Sequence, residues 1–194
     1  MRSDRLIGFL HDRASGRIVL GWFVVTMAVY LVMLGITIPR VQRFAPESTL
    51  FNLSPTGYSR QEALSLLESL GPEGRSAYLF PQLVLDFVYP GLFAVCFSLM
   101  FVWLYSRRFR PDSGFLYLAL LPMLAGLFDY GENLLIIRMI TEFPNVSRKL
   151  IAAANVFRML KSAFSTASFL LLMVGFVLLL KKRSTGGPSF GNQS

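Results

Sequence analysis

The sequence contains a single cysteine and a single histidine among its 194 residues. With one thiol, Cys96, no internal disulfide can form, and cysteine usage does not reveal the redox compartment. The lone His11 precedes the first long apolar run. Haem, zinc and di-iron sites built from histidine or cysteine need several such ligands. We therefore expect no metal ion and no cofactor.

Charged residues are also scarce: they make up 15% of the chain, whereas hydrophobic residues make up 54%. A soluble globular protein carries about 25% charged and about 45–50% apolar residues. Four long apolar runs stand out, at 18–38, 79–105, 115–140 and 150–180. Each is long enough for the ~20 residues that cross a ~30 Å hydrocarbon core, where backbone polar groups must be satisfied within a helix.

These runs predict an all-α integral membrane protein, a four-transmembrane-helix bundle that forms a single domain over residues 1–183. The segment 184–194 is rich in Gly and Ser and is predicted to be a disordered tail. The first run is longer than the apolar core of a signal peptide, about 7–15 residues, and no A-x-A cleavage site follows it. It is therefore predicted to be a retained helix.

Lysine and arginine lie mainly beside the ends of the apolar runs, as membrane topology requires. Ten would share one side of the membrane: Arg2, Arg5, Arg13, Arg17, Arg107, Arg108, Arg110, Lys181, Lys182 and Arg183. Six would lie on the other: Arg40, Arg43, Arg60, Arg75, Arg148 and Lys149. The prediction is a multi-pass protein of the cell membrane with both termini in the cytoplasm. Because this flanking accounts for the net charge of +8, no nucleic-acid partner is expected.

The external loop, residues 39–78, is predicted to hold a short amphipathic helix between transmembrane helices 1 and 2. Ser59 followed by Glu62 is a capping-box pattern, and Gly71 with Pro72 is a stop signal. An apolar stripe at helical spacing lies between them: Ala63, Leu64, Leu66, Leu67 and Leu70. A helix of about eleven residues is not stable alone in water. We expect it on the bundle's outer mouth or on the lipid surface, followed by a structured turn over 71–75.

Ionisable residues lie well inside three of the apolar runs: Asp86, Asp129, Glu132, Arg158 and Lys161. A single charge at mid-bilayer costs roughly 2.5–3.5 kcal/mol, so these groups must be paired. Helical rise places all five in one layer in the outer half of the membrane. Three acids against two bases leave one carboxyl unmatched, unless Arg138 turns inward.

Helical periodicity also groups polar residues on two facing stripes. The residues predicted to form a buried polar network or a ligand-binding site are Asp86, Asp129, Glu132, Asn133, Asn155, Arg158, Lys161 and Ser162. One interpretation is a structural ion-pair network that fixes helix register. The other is a polar pocket beside Asp129, covered by the amphipathic helix over 59–70, that binds the polar group of a lipid or another amphipath.

An acid followed by a proline in the second run (Asp86, Pro90) and Pro122 followed by Phe128 and Asp129 in the third resemble the EXPERA superfamily. That superfamily comprises four-helix membrane proteins that include the emopamil-binding sterol isomerase. The resemblance covers residues 18–180 and implies a buried acidic pocket for a lipid-like ligand. The pocket histidine of the isomerase has no counterpart in this sequence. The chain is also similar to small uncharacterised bacterial membrane proteins.

These observations predict a non-catalytic membrane protein that binds a lipid or amphipath or serves as an accessory subunit. One alternative is a membrane enzyme acting on a sterol- or isoprenoid-like lipid, with one of the three buried acids shuttling a proton. A small proton-coupled transporter is another, although the polar residues do not continue towards the cytoplasmic side. The expected partners are membrane lipid and either another membrane protein or a second copy of the chain.

Overall fold

The computed structural model describes residues 2–107, 109 and 114–180, with side chains described from residue 8 onward. These residues contain α-helices, short helical turns and loops, and no strand. The helices are α1 (Arg2–Arg13), α2 (Gly16–Val32), α3 (Ile38–Gln42), α4 (Arg60–Ser69), α5 (Gly71–Ala77), α6 (Leu83–Tyr105), α7 (Leu120–Glu142) and α8 (Arg148–Leu180). The tail predicted over 184–194 lies outside the described residues.

Short helical turns join several of these helices into longer rods. Met33–Thr37 connects α2 to α3, Tyr78–Gln82 connects α5 to α6, and Gly114–Ala119 leads into α7. The result is four spans: the first span is Gly16–Gln42, the second Gly71–Tyr105, the third Gly114–Glu142 and the fourth Arg148–Leu180. All four are long and apolar enough to cross a membrane, as the sequence predicts.

The first two spans are longer than predicted, and proline explains both differences. The first span continues past residue 38 because Pro39 lies in the first turn of α3, where a missing N–H costs little. The second span begins at Gly71 and not at residue 79, because Pro72 similarly lies in the first turn of α5. Gly71, with φ +60°, separates α4 from α5. The structured turn predicted over 71–75 was therefore wrong, since those residues are helical.

The second span lies at the centre of the bundle. More than half of its most apolar window is buried, 56%, against 17% in the first and fourth spans. It packs against α1, α2, α7 and α8, while the third and fourth spans pack along each other. Gly126 brings the third span close to the second, since a Cβ atom there would lie 2.8 Å from the carbonyl oxygen of Pro90.

Two clusters of buried apolar side chains fill the bundle, one towards the end that the loop covers and one towards the opposite end. The loop-side half includes Val41, Leu50, Phe51, Tyr58, Leu66, Leu67, Tyr78, Ile136, Met139 and Ile151. The aromatic half includes Leu10, Val19, Phe93, Phe97, Phe101, Tyr105, Leu116 and Leu172. The loop between α3 and α4 belongs to the first cluster because Leu50 and Phe51, each 1% exposed, insert between the spans.

Helix α4 closes the loop-side half. Ser59 caps it: the Ser59 Oγ accepts a bond from the Glu62 N–H, and the Glu62 carboxylate accepts one from the Ser59 N–H at 2.6 Å. Its apolar face, which includes Ala63, Leu66 and Leu67, is buried against the bundle. Burial of that face stabilises a helix that is too short to persist alone.

Candidate functional site

The ionisable side chains of the third and fourth spans meet in the bundle interior. The Lys161 ammonium lies 2.7 Å from an Asp129 carboxylate oxygen and 3.1 Å from one of Glu132. A guanidinium nitrogen of Arg158 lies 3.5 Å from the other Glu132 oxygen. Glu132 is fully buried, and Asp129 and Arg158 are nearly so. The predicted pairing of Arg158 with an acid of the third span is confirmed, and Lys161 is the closer counter-ion.

Arg158 does more than balance charge, because two of its nitrogens hold the loop between α3 and α4. Its Nε donates to the carbonyl oxygen of Ser54 at 2.9 Å, and its Nη2 donates to that of Asn52 at 2.7 Å. Backbone carbonyls inside a bundle need donors, and a guanidinium supplies several in fixed directions. Arg158 thus joins the loop, the third span and the fourth span at one point.

Asp86 is the carboxyl that the two bases do not match. It accepts hydrogen bonds from the side-chain amides of Asn52 and Gln82, the latter at 2.9 Å. Asn133 donates to its backbone oxygen at 2.7 Å. Arg138 does not turn inward: it pairs with Glu142 at 2.6 Å, and its side chain is 65% exposed. Neutral amides therefore bind the Asp86 carboxyl, and Arg138, the cation that could have matched it, does not.

Four residues of this network were not predicted from the sequence: Thr37, Asn52, Tyr78 and Gln82. The Tyr78 hydroxyl donates to the Asn52 side-chain oxygen, and the Thr37 hydroxyl donates to that of Gln82. Thr37, Gln82 and Tyr78 are almost fully buried. Asn52 links Tyr78 to Asp86 and, through its carbonyl, to Arg158, whereas Gln82 links Thr37 to Asp86. The one sequence signal for Asn52 is its position among Leu50, Phe51 and Leu53.

Asn155 and Ser162, also predicted, lie at the edge of the network. The Asn155 side-chain oxygen accepts a bond from the backbone N–H of Tyr58 at 3.1 Å, which ties the end of the loop to the fourth span. The backbone there passes so close that Gly57, with φ +90°, cannot be replaced without a clash against Asn155. Ser162 is half-buried and forms no hydrogen bond with the network among the described residues. One residue beyond Lys161, it points about 100° away from the acids.

Four buried polar atoms in or beside the network form no hydrogen bond among the described residues. Two of them, the Asp129 Oδ1 and the Glu132 Oε2, face the Lys161 ammonium as ion pairs, whereas the Tyr58 hydroxyl and the side-chain oxygen of Asn133 have no such partner. Burial, and then the Glu132 carboxylate, raise the pKa of Tyr58, so its hydroxyl stays protonated at neutral pH. Tyr58 is 8% exposed and packs its ring against Phe51, with centroids 4.7 Å apart.

Two cavities lie at the loop-covered end, outside the charged cluster. The larger, the loop groove, has a volume of about 720 Å³ between the loop and α4, and its wall includes Glu47, Phe51, Tyr58, Glu62 and Ser65. The smaller, the α4–α8 cleft, has a volume of about 450 Å³. No buried acid or base of the network lines either one. The pocket predicted beside Asp129 coincides with neither cavity, because Asp129 lines neither. Helix α4, which was predicted to cover that pocket, instead forms a wall of the loop groove.

The arrangement is suited to holding a loop in place. Each of the three buried carboxyl groups has an internal partner: Lys161 for Asp129, both bases for Glu132, and two amides for Asp86. Within the described ranges, no three His, Cys, Asp or Glu side chains are grouped so that they could hold a metal ion. The two cavities at the loop-covered end offer other polar side chains to a ligand.

Comparisons with protein-family models, with curated proteins and with solved structures give no match. The resemblance to the EXPERA superfamily therefore stays a prediction, and function has to be argued from the geometry alone.

Proposed function

We propose that this chain is a non-catalytic integral membrane protein that binds an amphipathic molecule at its loop-covered end. The observation that carries the proposal is the separation of the two polar regions. The buried acids and bases are paired with one another and with the loop, and none of them lines either of the two cavities. A catalytic acid–base pair would have to face a cavity that holds substrate.

The buried network serves this function by fixing the shape of the loop. Arg158 binds two loop carbonyls, the side chain of Asn52 binds both Asp86 and Tyr78, and Asn155 binds the Tyr58 N–H. Contacts from the second and fourth spans thus hold a segment of fewer than ten residues. A binding surface built from a loop is rigid only when such contacts fix it.

The loop groove has the size and lining of a headgroup site. Its volume of about 720 Å³ lies within the roughly 300–1,000 Å³ of small-molecule sites. Hydroxyl and carboxylate side chains line most of it, and Phe51, Leu53 and Leu66 provide apolar wall. Phe80, which is 73% exposed and lies two residues after Tyr78 of the loop-side half, suits contact with an acyl chain.

The proposal also places the loop-covered end outside the cell and both termini in the cytoplasm. The support is the distribution of Lys and Arg at the ends of the spans. In a Cys96→Ala background, a cysteine replacing the exposed Ser65 is expected to react with an impermeant thiol reagent in intact cells. A cysteine replacing Ser106 is expected to react only after the membrane is opened. The reverse pattern would contradict this orientation.

Native mass spectrometry of the protein released from bilayer nanodiscs tests binding. The wild type is expected to retain a bound lipid or another amphipath through mild activation. Ser65→Phe, which fills the loop groove, is expected to lose most of that adduct. Ser69→Phe is the matched control, because Ser69 is an exposed serine of the same helix outside the groove. Equal adducts on both variants, or no adduct on the wild type, would contradict the proposal.

A further inference from the structure

The α4–α8 cleft is lined by two arginines, Arg60 and Arg148, together with Ser59 and Asn155. No acidic side chain is among its lining residues. Both arginines are exposed, and neither forms an ion pair with another described residue. The cleft therefore presents two free guanidinium groups beside a hydroxyl and an amide, which is a donor set suited to phosphate oxygens.

The positions of the two arginines make this arrangement unusual. Arg60 is the first residue of α4, and Arg148 is the first residue of α8. A cation at the positive end of a helix dipole is electrostatically unfavourable, and an acid is the residue that favours this position. The first turn of α4 contains the acid Glu62, whereas the first turn of α8 contains no acid, so Arg148 is the arginine that breaks this preference. A bound anion would relieve the repulsion at the start of α8.

The adjoining loop groove has the opposite character. Glu47 and Glu62 are among its lining residues, and no Lys, Arg or His is. The Ser59 N–H and side chain lower the pKa of Glu62, so its carboxylate stays ionised at neutral pH. Tyr58 and Ser59 line both cavities. An anionic group entering this end of the protein is thus directed to the cleft and away from the groove.

We propose that the α4–α8 cleft, through Arg60 and Arg148, binds the phosphate group of the molecule that occupies the loop-covered end. This inference rests on the proposed function and names the chemical class of its ligand. The phosphate can come from a membrane phospholipid headgroup or from free phosphate in solution. Ile151 and Ala152 form apolar wall in the same cleft and favour a headgroup that continues into an acyl chain.

Binding of defined probes to the purified protein in a neutral maltoside detergent tests the assignment. The probes are a short-chain phosphatidylglycerol, the diacylglycerol with the same chains, and inorganic phosphate. We expect the wild type to bind phosphatidylglycerol about tenfold or more tightly than the diacylglycerol, as charge-assisted hydrogen bonds to phosphate imply. The double variant Arg60→Gln/Arg148→Gln is expected to abolish that preference.

Lys149→Gln is the matched control, because Lys149 is an exposed cation next to Arg148 that does not line the cleft. It is expected to keep the preference within about twofold. All these side chains are exposed, so no variant should have a thermal unfolding midpoint below that of the wild type. An undiminished preference in the double variant, or an equal loss in Lys149→Gln, would overturn the proposal.

The three probes also separate the two sources of phosphate. If millimolar inorganic phosphate does not displace phosphatidylglycerol, the site recognises a phospholipid headgroup. If inorganic phosphate binds the wild type as tightly and loses affinity in the double variant, the same site takes free phosphate. Binding of both lipids with no preference would overturn this inference and leave the proposed function intact. Binding of neither would contradict the proposed function itself.

Discussion

The two halves of this bundle are held together by different interactions. In the loop-side half, a chain of polar contacts runs from Thr37 through Gln82 and Asp86 to the loop, and onward through Arg158 to the third span. In the aromatic half, rings pack on one another: Phe97 lies 4.2 Å from Phe93 and 5.1 Å from Phe169, centroid to centroid. The first kind of interaction is directional, and the second tolerates small shifts.

The difference shows where specificity is needed. Polar contacts fix which residue faces which, while an apolar core of about the right volume does not. Buried hydroxyls in the aromatic half donate to backbone carbonyls: Ser98 to that of Ala119 at 2.6 Å, Tyr105 to that of Leu171 at 2.8 Å and Thr26 to that of Trp22 at 2.7 Å. Among the described residues, the linked polar side chains of the network lie in the loop-side half, which supports the proposal of a binding site at that end.

The largest effect is expected from Arg158→Ala. It removes a counter-ion of the buried Glu132 and two donors to loop carbonyls, so it should lower the free energy of unfolding by about 3–5 kcal/mol. Denaturant titration in mixed micelles measures this. Arg138→Ala is the control, because that arginine is exposed, and it should cost less than about 1 kcal/mol. Similar losses in both would show that the buried pair is no stronger than a surface one.

Combining Arg158→Ala with Glu132→Gln sharpens this prediction. The double variant should recover only part of the loss, because the carbonyls of Asn52 and Ser54 remain without their donor. Full recovery would mean that Arg158 acts as a counter-ion alone. Strict additivity of the two single losses would mean that the two side chains do not interact.

A smaller loss is expected from Asn52→Leu. This change keeps much of the side-chain volume but removes a donor to Asp86 and the acceptor of the Tyr78 hydroxyl, which should cost about 1–3 kcal/mol. Thermal unfolding followed by circular dichroism measures it. Leu53→Asn is a useful comparison, since Leu53 is 43% exposed, and we expect little change. If Asn52→Leu left the unfolding temperature unchanged, the loop would not depend on this contact.

In the aromatic half, Phe97→Leu should cost less than about 1.5 kcal/mol, because a nearly volume-conserving apolar change leaves no unpaired polar group. Denaturant titration in mixed micelles measures this loss as well. Its effect should add to that of Arg158→Ala, since the two halves are held independently. Coupling of more than about 1 kcal/mol between the two would contradict the division into halves.

The smallest effect concerns the cap of α4. The pKa of Glu62 is below its ordinary value of 4.5 because the Ser59 N–H and side chain bind its carboxylate. The capping contribution is therefore present above pH 4.5 and is lost as pH falls through the lowered value. An NMR titration of the Glu62 carboxyl should show a midpoint below 4.5 that rises in Ser59→Ala. A midpoint of 4.5 or more in the wild type would contradict the capping box.

Much of the fold follows from the sequence because apolar length and helical periodicity obey simple rules. Apolar length predicted the four spans, and helical rise placed Asp129 and Glu132 opposite Arg158 and Lys161. Prolines blurred the ends of the first two spans, since Pro39 and Pro72 both lie in first turns where helices accept them. The sequence patterns instead predicted that the first span ends before Pro39 and that a helix stops at Gly71 and Pro72.

These rules could not predict the path of the loop between α3 and α4. Nothing periodic marks Asn52, and its role depends on a tertiary insertion that brings it to Asp86 and Tyr78. For the same reason the pocket was expected beside Asp129, whereas residues of the loop, of α4 and of the first turns of α8 line the two cavities. A loop's path is set by the partners of its backbone groups, and these are far away in sequence.

Hydrogen–deuterium exchange of the loop in bilayer nanodiscs tests most directly the claim that the buried charges hold the loop in shape. The amides of Leu53, Ser54, Gly57 and Tyr58 are hydrogen-bonded and should be protected in the wild type. In Arg158→Met, peptides covering 50–58 should lose protection by about tenfold or more, while peptides from 93–105 in the aromatic half keep theirs. Unchanged protection of the loop, or an equal loss in both regions, would contradict the account.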